Sequence, residues 1–267
     1  MNAAGRLKDA DLAVRFLLSN DRQEAEEMAK ILDATNVERR EKESEMIQIA
    51  LNLAEEQKNN TALILVSPEF HEGVNGIVAT RLVESFYKPV LIFSENEGKI
   101  KGSGRSIPEL NLKDVLSDCS DLLVRFGGHA AAAGCSLIQE NLEAFRDRFI
   151  ALCDERLPVS LVPKLQIDAA LDYSELTEQF MEQLNLLQPF GEGNPNPLFS
   201  VNTPESPFTS LKQKHVKWKL NGNVEIIGWN RSEPFTNDLP SQLAVNLGFN
   251  EFRGQRSIQL TIQHIQI

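Results

Sequence analysis

Cysteine is scarce in this chain: three residues in 267, at 119, 135 and 153, odd in number, widely spaced and never in a CxxC pair. That pattern excludes a disulfide framework and a structural zinc site, and leaves reduced thiols packed in a core. Long apolar runs are missing too. No window approaches the roughly 20 apolar residues that a membrane span needs, and the opening MNAAGRLKDAD lacks the apolar centre of a signal peptide, so the chain is expected in the cytoplasm. Internal repeats and low-complexity segments are also absent. What is left is an ordinary globular composition, 42% hydrophobic and 24% charged, long enough for about two domains.

Positive charge is in short supply overall, with 27 Lys and Arg against 38 Asp and Glu and a net charge of −11, which argues against a surface that coats polyanions non-specifically. The deficit is unevenly spread. From Pro207 to Ile267 there are seven Lys or Arg (212, 214, 217, 219, 231, 253, 256) against four Asp or Glu, a local balance of +3 that leaves −14 for the rest. An acidic body with a basic C-terminal module is compatible with a local nucleic-acid groove.

In chain order, residues 1–20 open with the glycine-containing loop Asn2-Ala3-Ala4-Gly5-Arg6-Leu7, which has no strand or helix before it and reads as the tail of a domain. Residues 21–59 carry apolar residues at helical spacing, Ala25, Met28, Ala29 and Leu32, then Met46, Ile49, Ala50 and Leu53, and predict one long connector helix. The run from Glu38 to Glu43 reads as its solvated, i,i+4-paired face. Residues 60–157 alternate between strand and helix patterns and predict an α/β domain: a strand at 62–66, a helix at 74–87, a strand at 89–93, a strand at 99–102, a turn at 103–106, a helix at 112–126 and a closing helix at 141–156. Two prolines in 157–163 mark a linker. Residues 164–267 predict a strand at 164–171, a helix at 174–187, a turn at 188–197 (QPFGEGNPNP) and five short strands near 197–201, 215–220, 223–229, 242–249 and 256–265. That spacing suggests a small all-β barrel of the OB-fold type.

Four stretches carry candidate chemistry. In FGGHAAAAGCSL (126–137) the amides of Gly127, Gly128 and His129 can approach an anion, with His129 as the one chemically active side chain, while Ala130–Ala133 suit a short helical turn; a glycine turn with an ordinary histidine is the plain alternative. Ser103-Gly104-Arg105-Ser106 reads either as a phosphate clamp or as a surface turn. His71 lies in a loop at the end of a strand, where open α/β sheets place ligands. In the barrel, Lys212, Lys214, His215, Lys217, Trp218 and Lys219 set bases beside an aromatic, and Trp229 and Phe252 add flat surfaces, as in barrels that hold single strands. Alternation puts Lys217 and Lys219 on one face and Trp218 on the other, so a core role for the tryptophan is equally open.

Taken in order, Asn2-Ala3-Ala4-Gly5-Arg6-Leu7, His71-Glu72-Gly73-Val74-Asn75-Gly76-Ile77-Val78-Ala79, Ser103-Gly104-Arg105-Ser106, Gly127-Gly128-His129 and Phe190-Gly191-Glu192-Gly193-Asn194-Pro195 closely resemble the RecJ exonucleases of the DHH phosphoesterase superfamily. Those enzymes degrade single-stranded DNA from 5′ to 3′ in repair and recombination, and the resemblance covers essentially the whole chain. It implies the tail of a catalytic DHH domain with its connector helix, a DHH-associated α/β domain and an OB-fold. It further implies two divalent metals, manganese or magnesium, held by a DHH domain that activates water. No Asp-His-His occurs here, and the four histidines at 71, 129, 215 and 264 are too dispersed to replace it, so no metal site is expected in this chain and the chain alone is expected to be inactive.

Carried over by position, the resemblance gives Arg6 a place beside the active site, makes Ser103 and Arg105 a clamp for the 5′ phosphate together with Gly127 and Gly128, and turns His129 toward substrate as a supporting catalytic group. His71 corresponds to a histidine usually followed by Pro-Gly-Val, with Glu72 in place of the proline. Lys212, Lys214, Lys217, Trp218 and Lys219 become the strand grip. Implied partners are single-stranded DNA, the DHH domain, a single-strand-binding protein and a helicase. Two other readings compete: a non-catalytic nucleic-acid-binding module, and a phosphodiesterase for short oligonucleotides or cyclic dinucleotides, whose relatives usually end after Gly-Gly-His without an OB-fold.

Overall fold

The computed structural model describes residues 1–96, 99–159, 161–220, 223–229, 240–252 and 254–266; Arg231 and Arg253 lie outside them. The chain divides into two compact units, Met1–Pro163 and Lys164–Ile267.

The first unit begins with two short helices, α1 (Ala4–Leu7), where a loop was expected, and α2 (Asp11–Leu18). The long helix α3 (Arg22–Glu56) follows, started by the Asp21 carboxylate, which accepts from the amides of Gln23 and Glu24. Its buried residues step by three or four in two groups, Met28, Leu32 and Thr35, then Met46, Ala50 and Ala54. Between them Arg39 and Glu43 pair at i,i+4 as the charge run suggests, but they are largely buried rather than fully solvated.

Five strands form one sheet: β1 (Leu63–Ser67), β2 (Val90–Asn96), β3 (Lys99–Arg105), β4 (Arg125–Gly128) and β5 (Ala132–Ile138), in the order β1-β2-β3-β5-β4. Only the β1–β2 pairing is parallel, and α4 (Glu72–Phe86) makes that crossover. Helices α5 (Leu112–Asp118) and α6 (Leu142–Arg156) cover one face, where Leu116 and Phe149 meet Ile64, Phe93, Ile100 and Leu137. Cys119, Cys135 and Cys153 are buried in this same core, and burial pushes their thiols up to about 11, about 12 and about 12, which makes them inert packing groups. Helices α3 and α4 cover the other face over β1 and β2, through Met46, Ala50, Val74 and Val78 on Leu63, Leu65, Val90 and Ile92. On that second face β3, β5 and β4 present Lys101, Ser103, Gly134, Ser136, Arg125 and Gly127, the residues alternate to the buried Ile100, Cys135 and Leu137.

Three expectations for this unit are corrected. Ser103-Gly104-Arg105 is strand rather than turn, because Gly102 and Gly104 let β3 pass directly beneath Phe93 and Leu91; a Cβ at either would sit within 2.4 Å and 2.6 Å of those side chains. The helix expected at 112–126 ends at Asp118, and a 3-10 turn at Ser120–Leu122 feeds β4. The alanines at 130–133 are no helix: they close the β4–β5 hairpin, and Ala132 and Ala133 open β5.

The second unit contains β6 (Ala169–Ala170), α7 (Glu178–Asn185), β7 (Phe199–Asn202), β8 (Thr209–Leu211), β9 (His215–Lys219), β10 (Val224–Gly228), β11 (Gln242–Phe252) and β12 (Gln255–Gln266). The strand expected at 164–171 shrinks to β6. The helix expected at 174–187 becomes a 3-10 turn at Tyr173–Glu175 followed by α7, whose start is capped by Thr177. Each of the five expected strand positions is occupied, and the seven described strands pair in the order β6-β7-β11-β12-β10-β9-β8. A register shift at Ala244/Val245 helps the long β11–β12 ribbon to curl. Trp218, Met181, Leu243, Val245 and Leu260 fill the core.

Phe93 is fully buried and meets Phe145 edge-on at 5.9 Å and 84°. Phe93→Ala should therefore lower the stability of the first unit by about 3–5 kcal/mol in urea unfolding, and a loss below about 1 kcal/mol would show that this ring is not a keystone.

Candidate nucleic-acid interface

The uncovered sheet face of the first unit is the floor of a cleft of about 650 Å³. The register aligns Lys101, Ser136 and Arg125 in one row across β3, β5 and β4, and Ser103, Gly134 and Gly127 in the next. Glycines in the second row leave backbone rather than side chains at the surface. One wall is the head of α4 with Glu72, Gly73 and Asn75, and Arg6 of α1 leans over it. The approach is very close: a Cβ on Gly73 would lie 1.8 Å from the Arg6 carbonyl oxygen, so only glycine admits α1 here. The Arg6 guanidinium in turn donates to the Gly73 carbonyl at 3.3 Å.

Charge balance singles this region out. Arg15, Arg22, Arg39, Arg81, Arg146, Arg148 and Arg156 each pair with a carboxylate. Among the described residues Arg6, Arg40, Arg105 and Arg125 have no such partner; Arg40 is exposed on α3, whereas the other three gather at the cleft, where Arg105 is half-buried. Burial pushes the Arg105 guanidinium below its ordinary value, and the positive charge of Arg6 pushes the same way. Its terminal nitrogen lies 2.9 Å from where a Cβ on Gly76 of α4 would be. Two like charges brought together without an acid are unfavourable unless an anion completes the set. Asn75 adds to the pattern: it is buried, its amide nitrogen reaches Ser94 at 3.3 Å, and its Oδ1 has no hydrogen-bond partner among the described residues. Lys101 is different, because Glu72 pairs with it at 2.9 Å.

The structure brings together Arg6, Ser103 and Gly127 in the cleft, with Arg105 adjoining through Arg6. It treats the other predicted residues differently. His71 is the N-cap of α4, its Nδ1 accepting from the Gly73 amide at 3.1 Å, and so shapes the cleft wall. His129 and Gly128 sit exposed at the β4–β5 turn. The His129 amide donates to Ala132 O at 2.8 Å, so it is committed to the hairpin and cannot serve an anion. Gly128 takes φ +140° and a Cβ added to it would lie 2.5 Å from the Ala132 oxygen, so the turn itself requires Gly128 but not Gly127, where an added Cβ would meet nothing. Arg125 and Lys101 escaped the sequence reading. The period-two alternation of Arg125, Gly127 and His129 was the available signal, hidden by the helix expected through 126.

In the second unit Trp218 is fully buried, its Nε1 donating to Ser206 O at 3.1 Å and its ring against Phe208 at 5.4 Å. It cannot stack on a base, which corrects its place in the strand grip. Lys217 and Lys219 emerge on the opposite face and line a groove of about 620 Å³ with Trp229 and Phe252, exposed by 53% and 65%. Lys212 and Lys214 are exposed at the β8–β9 turn, where Lys212 and Gln213 adopt positive φ. Lys217 is paired with Glu225 at 2.5 Å, and Glu225 also accepts from Gln259 at 2.6 Å and Asn250 at 3.1 Å. Burial pushes the Glu225 carboxyl up, but the bonds from Lys217, Gln259 and Asn250 and the lysine charge outweigh it and leave the group below its ordinary value.

With both surfaces described, the matches to known proteins fall into place. Residues 59–155 match the family model described as the DHHA1 domain, and residues 167–264 the one described as the RecJ OB domain. The chain carries a DHHA1 domain and a RecJ OB domain. It is 38% identical to the single-stranded-DNA-specific exonuclease RecJ of Dickeya dadantii over 99% of this chain and 49% of that protein, and 33% identical to RecJ of Bacillus subtilis over 98% of this chain and 35% of that protein. The crystal structure of Thermus thermophilus RecJ with Mn2+ superposes over 100% of this chain and 40% of that one, at 32% identity and a TM-score of 0.84. The chain thus spans about half or less of the length of these curated relatives. The RecJ resemblance read from the motifs is borne out, and the oligonucleotide or cyclic-dinucleotide phosphodiesterase reading is not favoured, since the RecJ matches continue through the OB domain. Among the described residues no three His, Cys, Asp or Glu side chains cluster as a metal site, and no helix is long and apolar enough to cross a membrane.

Two outcomes follow from this geometry. Gly73→Ala should force α1 off the head of α4 and lower stability by about 1–3 kcal/mol, read from the urea midpoint; an unchanged midpoint would mean that α1 is not held there. Glu225 has a depressed folded pKa, so its contribution is present above the ordinary 4.5 and is lost as the pH falls through the lower folded value. Unfolding midpoints followed from about pH 5 to about pH 2 should fall less steeply in Glu225→Gln than in the parent chain, and parallel curves would contradict the assignment.

Proposed function

We propose that this chain is the substrate-holding portion of a RecJ-type exonuclease that hydrolyses single-stranded DNA from its 5′ end, in DNA repair and recombination. The observation that carries the reading is the set of acid-free guanidinium groups, Arg6, Arg105 and Arg125, around a glycine-floored cleft. A terminal phosphate dianion supplies the missing counter-charge. Guanidinium forks bind it in two dimensions, and Ser103 adds a hydroxyl at the cleft floor. His129, exposed on the adjoining hairpin, is the group available to meet the strand beyond the terminal phosphate.

The hydrolytic step belongs to a metal-bearing DHH domain of the kind the relatives imply. The residues of this chain do not fit a metal: its described histidines and carboxylates form no cluster. Its own contribution is to bind, orient and restrain. Fixing the phosphate and the strand in register converts an encounter into a positioned substrate, which is a large share of the barrier in phosphoryl chemistry. The OB unit supplies the strand grip through Lys212, Lys214 and Lys219, with stacking on Trp229 and Phe252. Single-strand-binding protein and a helicase are the natural partners of such an enzyme, as suppliers of unpaired strand.

The test combines binding and turnover. The chain alone should show no manganese-dependent degradation of single-stranded DNA, and robust degradation would overturn the division of labour. Arg105→Gln should weaken binding of a 5′-phosphorylated oligonucleotide about tenfold while leaving the 5′-hydroxyl form unchanged, the scale of one charge-assisted contact. Equal losses for both forms would remove Arg105 from the phosphate site.

A further inference from the structure

The groove of the OB unit has a floor whose hydrogen-bonding groups are fixed in direction. Glu225 lies between Lys219 and Gln259 in one cross-strand row of β9, β10 and β12. The Gln259 and Asn250 amide nitrogens donate to one carboxylate oxygen, and Lys217 meets the other. A carboxylate accepts and never donates, so both carboxamides must present their NH2 ends to it. Their carbonyl oxygens then point away from Glu225, and no donor meets either oxygen among the described residues. Both residues line the groove, which is large enough for a nucleotide.

Lys217 offsets the carboxylate charge, so the floor presents neutral acceptors rather than a net anion. Among the described residues that line the groove, the cation left over is Lys219, at its wall. Trp229 and Phe252 offer flat surfaces that stack on any base and do not discriminate among them. Discrimination therefore rests with the amide oxygens.

We propose that this floor is a subsite for an unpaired nucleobase carrying an exocyclic amino group, so that the groove prefers cytosine and adenine to thymine. The N4 amino group of cytosine or the N6 amino group of adenine donates to the Gln259 or Asn250 oxygen. Thymine presents O4 at the same position, and oxygen would face oxygen. The proposal rests on the reading of this groove as the strand grip, and Glu225 acts in it as a positioning residue that never touches the base.

The experiment is fluorescence anisotropy at low salt on the whole 267-residue chain, with oligo-dC and oligo-dT of equal length. These are both pyrimidines, so stacking differs little and the contrast lies in the polar edge, an amino group at position 4 of cytosine against O4 of thymine, with N3 and the thymine methyl differing beside it. Oligo-dC should bind about fivefold more tightly, the scale of one net hydrogen bond. Glu225→Gln, with an unchanged circular-dichroism spectrum, releases the two carboxamides to turn and frees Lys217. It should abolish the preference and steepen the slope of log K against log salt by about 0.7. Gln259→Leu, which keeps Glu225 and Lys217 paired, should shrink the preference without changing that slope. Equal binding of dC and dT by the parent chain, tighter binding of dT, or a preference that survives Glu225→Gln would overturn the subsite while leaving the strand grip standing. Failure of either oligonucleotide to bind would overturn both.

Discussion

The Arg6 peptide lies so close to the head of α4 that a single added methyl group on Gly73 would share its space. Much of the first unit's chemistry depends on that contact. It seats the short α1 helix, which would be too short to hold itself. It turns the Arg6 guanidinium over the sheet, where it meets the Gly73 carbonyl and adds its charge to that of Arg105. His71 completes the arrangement by capping α4, so the residue that begins the helix also sets the wall of the cleft. The glycine is needed here for approach, whereas Gly128 is needed for its backbone angle as well.

A second constraint is the incomplete covering of the sheet. Helices α3 and α4 pack on β1, β2 and part of β3, and on β5 and β4 the uncovered positions are small or cationic except Ile138 at the end of β5. An apolar residue at Gly134 or Gly127 would ask for a partner helix; glycine asks for nothing and leaves the floor open. The acids are distributed with the same economy. Elsewhere among the described residues every arginine but the exposed Arg40 meets a carboxylate, but around the cleft Glu72 engages Lys101 alone. In the OB unit the logic reverses: a buried acid is retained, and three donors are gathered to hold it. One surface leaves Arg6, Arg105 and Arg125 without a carboxylate partner, and the other cancels a charge and fixes the direction of uncharged groups.

The sequence made the long-period features readable and concealed the local ones. Asp21 and the apolar stepping after it predict α3 to within one residue at its start and three at its end, because capping and amphipathicity are local signals that survive in the fold. The parallel crossover and the positions of five OB strands were legible for the same reason. The alanines after Gly-Gly-His were not. Alanine favours helix in isolation, yet β3 supplies an unpaired edge that recruits Ala132 to Ile138 as a strand, and tertiary pairing outweighs a propensity of a few tenths of a kcal/mol per residue. Trp218 shows the limit of composition: alternation had already set it opposite Lys217 and Lys219, and the buried side won because its ring completes the OB core. Arg125 and Glu225 carry no motif. Their roles come from register, which places one beside Ser136 and the other beside Gln259, and register is a property of pairs of strands rather than of either strand's sequence.

The two surfaces also impose opposite kinetic demands. In the proposed role a 5′ phosphate would be held firmly enough to fix the scissile bond, while a strand shortened by successive cleavages would have to advance after each one. Strong, directional guanidinium contacts suit the first requirement. The second is better served by a groove in which Glu225 withdraws one lysine from phosphate binding and leaves stacking and single neutral hydrogen bonds to hold the bases. Each such contact is worth about 0.5–1.5 kcal/mol, small enough to break and re-form as the strand moves. An OB surface that spent every lysine on phosphate would gain affinity at low salt and lose mobility. Under the proposed function the buried carboxylate would act as a limit on grip, because it withdraws Lys217 from phosphate.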